Sequence, residues 1–446
     1  MSDTFLATKT ATKNQSLLVF GKNSNREPNE AQEIVHLPKR KNKEKVLQTS
    51  YIEISQVKES YEVILSKPIT SWGAEMGANE HGLVVGYVPV FTKAAMSKNN
   101  MGLTGLDLVR VALERCKTSA QALDVITSLV EEFGQDANSG FSGMESFHHN
   151  SFLLGDANES YILETVDRHW VAKKINGFQA ISNILSITND FQFSSKGLMD
   201  YAKKLGFHKS DSDFSFAETF NDWFRTKMNK GKHRLQLVTK MGEMFSLTEG
   251  VGVKESMDIL RSHNVANYSP ENGNNGSICQ HASGMLTPYQ TTGSMVFEIK
   301  NNKKLTVWLT GTSAPCLSLY KPFYFGNDIL DENNQIKPSK VSDDSLWWKS
   351  EKFHRLALND YKYAHNLVFK ERQESERHWR RKDRELQSTK TSTKQLREFS
   401  DFAINHHKEI LRIWTRDLLS RKRSSIFNPL FNMFWNARNK EAELEL

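Results

Sequence analysis

Apolar and polar positions change their period several times along the chain, and each change marks an element. Phe5-Leu6-Ala7 and Leu17-Leu18-Val19-Phe20 are strand-like, and Thr12-Lys13-Asn14-Gln15 between them is turn-like. Residues 2–21 therefore predict a hairpin that sets residues 2–4 beside residues 22–26. A charged, proline-bearing loop spans His36 to Lys45. Strand character returns from Thr49 to Ser66, alternating in Tyr51-Ile52-Glu53-Ile54 and continuous in Val63-Ile64-Leu65. Then comes Ser71-Trp72-Gly73-Ala74-Glu75-Met76-Gly77-Ala78-Asn79-Glu80-His81-Gly82, which feeds the strand Leu83-Val84-Val85. Its glycines permit backbone conformations that a β-carbon hinders, so it reads equally as a site loop and as a structural turn.

Helical spacing takes over at Thr104–Arg115 and again from Ser119 to Phe133, where Leu123, Ile126, Leu129 and Val130 recur and Gly134 stops the pattern. Strands follow at 151–156, 160–165, 170–175 and 179–183, the first two joined by the turn Asp156-Ala157-Asn158-Glu159. Residues 196–263 are polar and helical, and Glu271 to Gly276 is a glycine/asparagine loop. Thr292–Ile299 and Leu305–Thr310 form a second hairpin around Lys300-Asn301-Asn302-Lys303. Helices come in groups between groups of strands. That order predicts an α+β protein with layered antiparallel sheets and helices outside, not a doubly wound parallel sheet.

From Ser345 the pattern is helical and charged. Glu351–Ser388 and Lys394–Lys422 carry apolar positions such as Leu356, Leu358, Leu367, Phe369, Ile410, Leu411, Ile413, Leu418 and Leu419. The last stretch is basic at Arg421-Lys422-Arg423 and aromatic from Ile426 to Trp435. Docking to a membrane surface and packing onto the body are both open to it; Pro429 interrupts a long amphipathic helix and favours packing.

Charge sharpens this boundary. Residues 351–446 hold 21 Lys and Arg against 14 Asp and Glu, which is the whole net charge of +7. Residues 1–350 are therefore balanced. At 446 residues the chain exceeds one typical core. It divides by composition into 1–340 and a basic helical region, 345–446. Two tryptophans, Trp379 and Trp414, sit among its arginines, but acids are interspersed, so a solvated helical pair is expected rather than a nucleic-acid surface. No apolar run reaches a membrane span, and no basic-then-apolar leader opens the chain. Three cysteines without a CxxC spacing suit a reducing cytoplasm.

Candidate chemistry starts at Met1-Ser2. Loss of the initiator Met makes Ser2 the terminus, with a hydroxyl and a free α-amine on one residue. Such an amine titrates at about 7.7–8.0 and can take the hydroxyl proton directly or through water. Other groups are weaker. Cys279 and His281 can share a strand face but lack a glycine-rich nucleophile turn. His148-His149 and His406-His407 have no third ligand at metal spacing, so no zinc site is expected from them. His81 reads as structural, Glu80 and Glu164 are isolated carboxylates, and no phosphate loop is present.

These segments resemble the secernins, and through them the dipeptidase branch of the N-terminal-nucleophile hydrolases. The likeness is carried by Ser-Asp-Thr-Phe-Leu-Ala at 2–7, Phe-Gly-Lys-Asn-Ser at 20–24, Trp-Gly-Ala-Glu-Met-Gly-Ala-Asn-Glu-His-Gly at 72–82 and Gly-Leu-Asp-Leu-Val-Arg at 105–110. Ile-Ser-Asn at 181–183, Ile-Cys-Gln-His-Ala at 278–282 and Thr-Thr-Gly-Ser-Met-Val at 291–296 extend it, and it covers about residues 2–325. The resemblance implies a four-layer αββα sandwich with the nucleophile at the start of a central strand, followed here by a charged helical extension. It implies cytosolic hydrolysis of dipeptides or small amides, with no metal and no organic cofactor; no nucleic-acid partner is expected from the mixed charge of the tail, and homo-oligomerisation is left open.

Carried over by position, Ser2 is the nucleophile, and Asn79 and Asn183 hold the oxyanion. Preorganised amides aimed at charge that exists only near the transition state would accelerate the reaction. Lys22, Asn25 and Arg26 would orient the substrate. Two positions depart from the family: Ser2 replaces its usual Cys, and Asn25 replaces the Asp of its Lys-Asn-Ser-Asp-Arg segment. An amide at residue 25 hydrogen-bonds but cannot stabilise an ammonium by charge. A non-catalytic binding or regulatory protein is the alternative these two departures raise.

Overall fold

The opening hairpin lies at the centre of a sheet rather than at its edge. In the computed structural model, which describes residues 1–141, 143, 145–209, 213–326, 337–421 and 428–446, Ser2–Thr8 (β1) pairs antiparallel with Ser16–Arg26 (β2), Ser2 opposite Ser24 and Leu6 opposite Phe20. Phe178–Ile181 flanks β1; Gln290–Lys300, Leu305–Leu309 and Lys321–Phe323 follow beyond β2, giving six antiparallel strands. A second, eight-stranded antiparallel sheet runs in sequence order from Gln32–Leu37 through Val63–Pro68, Met76–Asn79, Val84–Val90, His149–Gly155, Ser160–Val166 and His169–Lys174 to Phe193–Ser194.

Side-chain alternation assigns each strand face to a different core. Leu6, Leu18 and Phe20 point from the six-stranded sheet towards Met76, Val84, Val88, Leu153 and Ile162 of the other. Phe5, Ala7 and Val19 point the opposite way, onto helices. Gly21 is required there: a β-carbon on it would lie 2.2 Å from the Phe5 ring. Outside the eight-stranded sheet, Val85, Tyr87, Phe152 and Leu154 meet Gly105–Arg115 (α1) and Ser119–Phe133 (α2) through Leu108, Val111, Ala112, Ile126 and Val130. Thr104 and Asp107 close α1 with reciprocal side-chain bonds to backbone N–H groups, and Gly134 ends α2 at φ 74°. The expected class of layered antiparallel sheets with outer helices is therefore present. The described residues of 196–263 hold five helices, from Leu198–Lys204 to Val253–Leu260.

The basic region shares its core with the front of the chain. Phe353 and Leu356 of helix Leu346–Ala357, Trp379 of Tyr361–Ser388, and Ile410, Leu411 and Trp414 of Thr393–Ser420 join one apolar cluster with Phe5, Val296, Trp308 and Met257. The change of composition near residue 345 marks a change in surface charge, not a separate hydrophobic core. Of the apolar positions read along these helices, Leu356, Leu358, Ile410, Leu411 and Leu418 are buried, whereas Phe369, Ile413 and Leu419 are exposed. Pro429 opens the helix Pro429–Glu441 instead of interrupting one, capped by Asn428. Phe431, Phe434 and Trp435 are buried on the body, and Trp435 Nε1 donates to the Ala282 carbonyl at 3.2 Å. The stretch Lys422–Phe427, read as basic then aromatic, lies outside the described residues. Among the described residues no helix is long and apolar enough to cross a membrane.

Because Phe353 is fully buried in the shared cluster, Phe353→Ala should destabilise the whole chain by about 3–5 kcal/mol in urea unfolding, with one transition followed by probes in both halves. Two separated transitions would show that residues 345–446 fold independently.

Candidate functional site

The polar ends of β1 and β2 are buried, which an ordinary strand would avoid. Ser2, Asp3, Thr4, Lys22, Asn23, Ser24 and Asn25 are all at most 2% exposed. Buried polar groups need partners, and the partners define the site.

Ser2 opens onto a cavity of about 370 Å³ whose lining includes Met1, Asn25, Arg26, Glu27, Glu75, Tyr87, His148 and Tyr289. The Ser2 backbone nitrogen donates to Asn183 Oδ1 at 2.8 Å, and Ser2 Oγ donates to the Met1 carbonyl at 2.6 Å. Met1 continues the ladder: its amine donates to the Asn25 carbonyl at 2.7 Å, and Asn25 N–H donates to the Met1 carbonyl at 2.9 Å. Burial pushes the Met1 α-amine down to about 5; Glu75 opposes the shift, while Arg234, Arg26 and Lys22 add to it.

Asn183 is brought to Ser2, but through its oxygen. Its Nδ2 donates to the Pro89 carbonyl at 2.7 Å, so the amide holds the Ser2 nitrogen rather than presenting a donor for an oxyanion. Arg234 completes the arrangement. Its Nη2 donates to Asn183 Oδ1 at 2.6 Å, and its Nε lies 3.0 Å from both Asp3 carboxylate oxygens. Ser182 Oγ also donates to Asp3, at 2.7 Å.

Asn79 is not brought to this site. Its Nδ2 donates to the Leu113 and Cys116 carbonyls at 2.9 and 2.7 Å, and its Oδ1 accepts from the backbones of His81 and Leu83. The amide expected to hold an oxyanion is spent on tying the C-terminal end of α1 to the turn after Met76–Asn79. The physical reason is the pleat: Met76 and Ala78 face the inter-sheet core, so Asn79, one position on, faces α1.

Of the orienting residues, Lys22 Nζ lies 3.1 Å from Glu75 Oε2 and is fully buried. Arg26 spends its fork on Glu30 at 2.6 and 2.7 Å, on Glu75 at 2.9 Å and on the Ser139 carbonyl at 2.8 Å. Burial opposes ionisation of Glu75, but Lys22 and Arg26 outweigh it and hold its carboxyl below the usual range. Asn25 Oδ1 accepts from Thr291 Oγ1 at 2.7 Å, and its Nδ2 is buried without a hydrogen-bond partner among the described residues. An amide at residue 25 thus leaves a donor at the cavity wall that meets no acceptor among the described residues.

Sequence reading missed Arg234, Asp3 and Glu75 as site members, and His148 as part of the wall. Glu75 was within reach: it sits between Gly73, whose β-carbon would lie 2.2 Å from the Leu106 carbonyl carbon, and Gly77, similarly crowded by Leu65. Both readings of the 71–82 run therefore apply, close packing for the glycines and a site charge for the Glu between them. Arg234 had no local signal, because a single Arg in a polar helix predicts a solvated side chain.

Asn79→Ala should lower stability by about 1–3 kcal/mol, since it strands two buried carbonyls, while turnover per folded molecule stays at the native level; lost turnover at unchanged stability would restore Asn79 to the site. His148 and His149 are held down to about 4, in both cases first by burial. The unfolded chain then binds protons below about 6.5 that the fold refuses. Their contribution is complete above about pH 6.5 and is lost as pH falls to about 4. His148→Gln should flatten the fall in unfolding free energy across that window; an unchanged slope would show that His148 is not buried neutral.

Among solved structures the chain is similar to penicillin V acylase from Agrobacterium tumefaciens, at 12% identity over 72% of this chain and 86% of that one, TM-score 0.41. It is also similar to a mutant conjugated bile acid hydrolase from Clostridium perfringens, at 10% identity over 69% and 88%, TM-score 0.39. A third is the Caenorhabditis elegans N-acylethanolamine-hydrolyzing acid amidase ortholog, at 11% identity over 66% and 92%, TM-score 0.35. The family model for acyl-coenzyme A:6-aminopenicillanic acid acyl-transferase matches residues 10–240, more than half of the chain. The chain belongs to the acyl-coenzyme A:6-aminopenicillanic acid acyl-transferase family.

Proposed function

We propose that the protein is an amide-bond hydrolase of the N-terminal-nucleophile kind, acting on dipeptides or similarly small amides through Ser2 once Met1 is removed. The observation that carries this reading is the contact of the Ser2 nitrogen with Asn183 Oδ1 at 2.8 Å, at the wall of a small polar cavity. With Met1 gone, that nitrogen is an α-amine held by one hydrogen bond, and its lone pair is available as a base. Ser2 Oγ attacks the substrate acyl carbon as its proton passes to the amine. The amine then gives that proton to the leaving nitrogen, and the acyl ester is cleared by water. The oxyanion would take the place of the Met1 carbonyl oxygen, which now lies 2.9 Å from the Asn25 N–H; the unpartnered Asn25 Nδ2 is a second donor at the same wall. Binding charge that appears only in the transition state is where such donors act. In this scheme Asn183 and Arg234 position the nucleophile, and Lys22 and Arg26 position Glu75.

Glu27 supports a substrate with a free amine. It lines the cavity, and burial, then Glu30, raise its carboxyl to about 7. A substrate ammonium beside it would favour the ionised form.

A second reading rests on the same contacts. Met1 fills the ladder beside Asn25 and occupies Ser2 Oγ, so a protein that keeps Met1 has neither base nor access and would bind rather than cleave.

Intact mass of the purified protein decides between them: loss of Met1 with an unmodified Ser2 amine is expected, and retained Met1 or acetylated Ser2 overturns the hydrolase. Ser2→Ala should then reduce dipeptide hydrolysis at least about 10³-fold. Unchanged activity would reject Ser2 as nucleophile. Glu27→Gln should raise KM for a dipeptide about tenfold and leave KM for its N-acetyl form unchanged.

A further inference from the structure

On the far side of the six-stranded sheet from the Ser2 cavity, four side chains from three separate stretches converge. His263 follows helix Val253–Leu260, Cys279 and His281 lie in the loop before Gln290–Lys300, and Cys316 is in the short turn Pro315–Leu317. One ligand atom from each lies within 4.8 Å of the other three. His281 Nε2 is 3.8 Å from Cys279 Sγ and 3.3 Å from Cys316 Sγ. A tetrahedral zinc with bonds of about 2.3 Å to sulfur and about 2.0–2.1 Å to nitrogen puts its nitrogen–sulfur edges at about 3.6 Å. The two observed separations straddle that value.

We propose that His263, Cys279, His281 and Cys316 bind a structural zinc ion. The donor set is chemically balanced: two thiolates cancel the charge of the ion and two neutral imidazoles complete four-coordination, so the group is buried without net charge. Cys279 and Cys316 are fully buried, His281 is 3% exposed and His263 is half-buried; with four protein ligands the shell has no open position for a substrate, which separates this site from a catalytic one.

The surrounding groups are those that orient metal ligands. His281 Nδ1 lies 2.8 Å from His354 Nε2, and His354 Nδ1 lies 3.3 Å from Glu351 Oε2. That chain fixes His281 with its proton on Nδ1 and its lone pair on Nε2, towards the sulfurs. Arg355 Nε, 2.8 Å from Glu351 Oε1, holds the carboxylate in turn. Tyr361 hydroxyl donates to Cys316 Sγ at 3.3 Å, the contact a thiolate ligand accepts. His263 stacks on Tyr268 with ring centroids 3.9 Å apart.

The ion would tie residues 263 and 316 to the loop that supports the end of β2, with His354 and Tyr361 of the C-terminal helices held against its ligands. Asn23 Nδ2 donates to the Ile278 carbonyl at 3.0 Å, and Thr291 N–H donates to the Gln280 carbonyl at 2.9 Å. Both bonds lie within two residues of Cys279 or His281.

Metal analysis of the full-length protein, purified under reducing conditions without chelator, should find about one zinc per chain. After exchange, cobalt(II) should show the thiolate charge-transfer and intense visible bands of a tetrahedral site. Cys316→Ser should lower zinc content at least about tenfold, whereas Cys116→Ser, at a buried thiol outside the cluster, should keep it. If Cys316→Ser is insoluble, X-ray absorption on the native zinc protein decides, with two sulfur and two nitrogen neighbours expected. Folded, reduced protein with less than about 0.1 zinc per chain and no cobalt spectrum would overturn the assignment. So would full zinc in Cys316→Ser, a shell of nitrogen and oxygen only, or a Cys279–Cys316 disulfide in freshly purified protein.

Discussion

A strand covered on both faces but polar at one end is the constraint from which the rest of the molecule follows. β1 lies between the eight-stranded sheet and a layer of helices, and its first residues are Ser2, Asp3 and Thr4. A carboxylate in such a place costs several kcal/mol in lost hydration unless paired. Arg234 supplies the pair to Asp3 from helix Gly231–Leu247 and reaches Asn183 with the same guanidinium. Stability alone would be served as well by an apolar pair of similar size. The Asp3–Arg234–Asn183 chain also holds the Ser2 nitrogen from behind.

The facing layer answers in kind. Lys22 and Arg26 on β2 both reach Glu75, and Glu75 can sit there because Gly73 allows its loop to approach the backbone of α1. A small residue, a helix N-terminus and a buried carboxylate thus form one unit. Its charge alternates as Lys22, Glu75, Arg26, Glu30, so no member is left without an opposite neighbour. Asn25 is the exception, an amide between charged groups with one donor unpartnered among the described residues.

The C-terminal helices show how charge and burial can be separated along one sequence. Each turns apolar positions inward, and the two long helices, Tyr361–Ser388 and Thr393–Ser420, turn a mixture of basic, acidic and neutral residues outward. Some of the arginines are nonetheless structural: Arg355 binds Glu351 inside the protein, and Arg372 donates to the Cys316 carbonyl while buried. These contacts close over the loop containing Cys279 and His281. A region that reads as an appendage is thereby part of the covering of the six-stranded sheet.

Local rules determined a large part of this protein. Turn residues at 12–15 and 300–303, helical spacing at 104–133 and the grouping of strands led directly to the hairpins, the outer helices and the α+β class, because each depends on neighbours within a few residues. The position of Ser2 beside residues 22–26 came from the same hairpin. Tertiary structure alone decided which polar side chains meet. Asp3 and Arg234 are 231 residues apart and His263 and Cys316 are 53 apart in the numbering, and no periodicity links them. It also reversed Asn79 and turned Asn183 about its amide, since the face a strand residue presents depends on the register of its sheet and on what that sheet packs against. Local patterning specifies elements because their hydrogen bonds are local; a site is assembled from their ends, and only the completed packing brings those ends together.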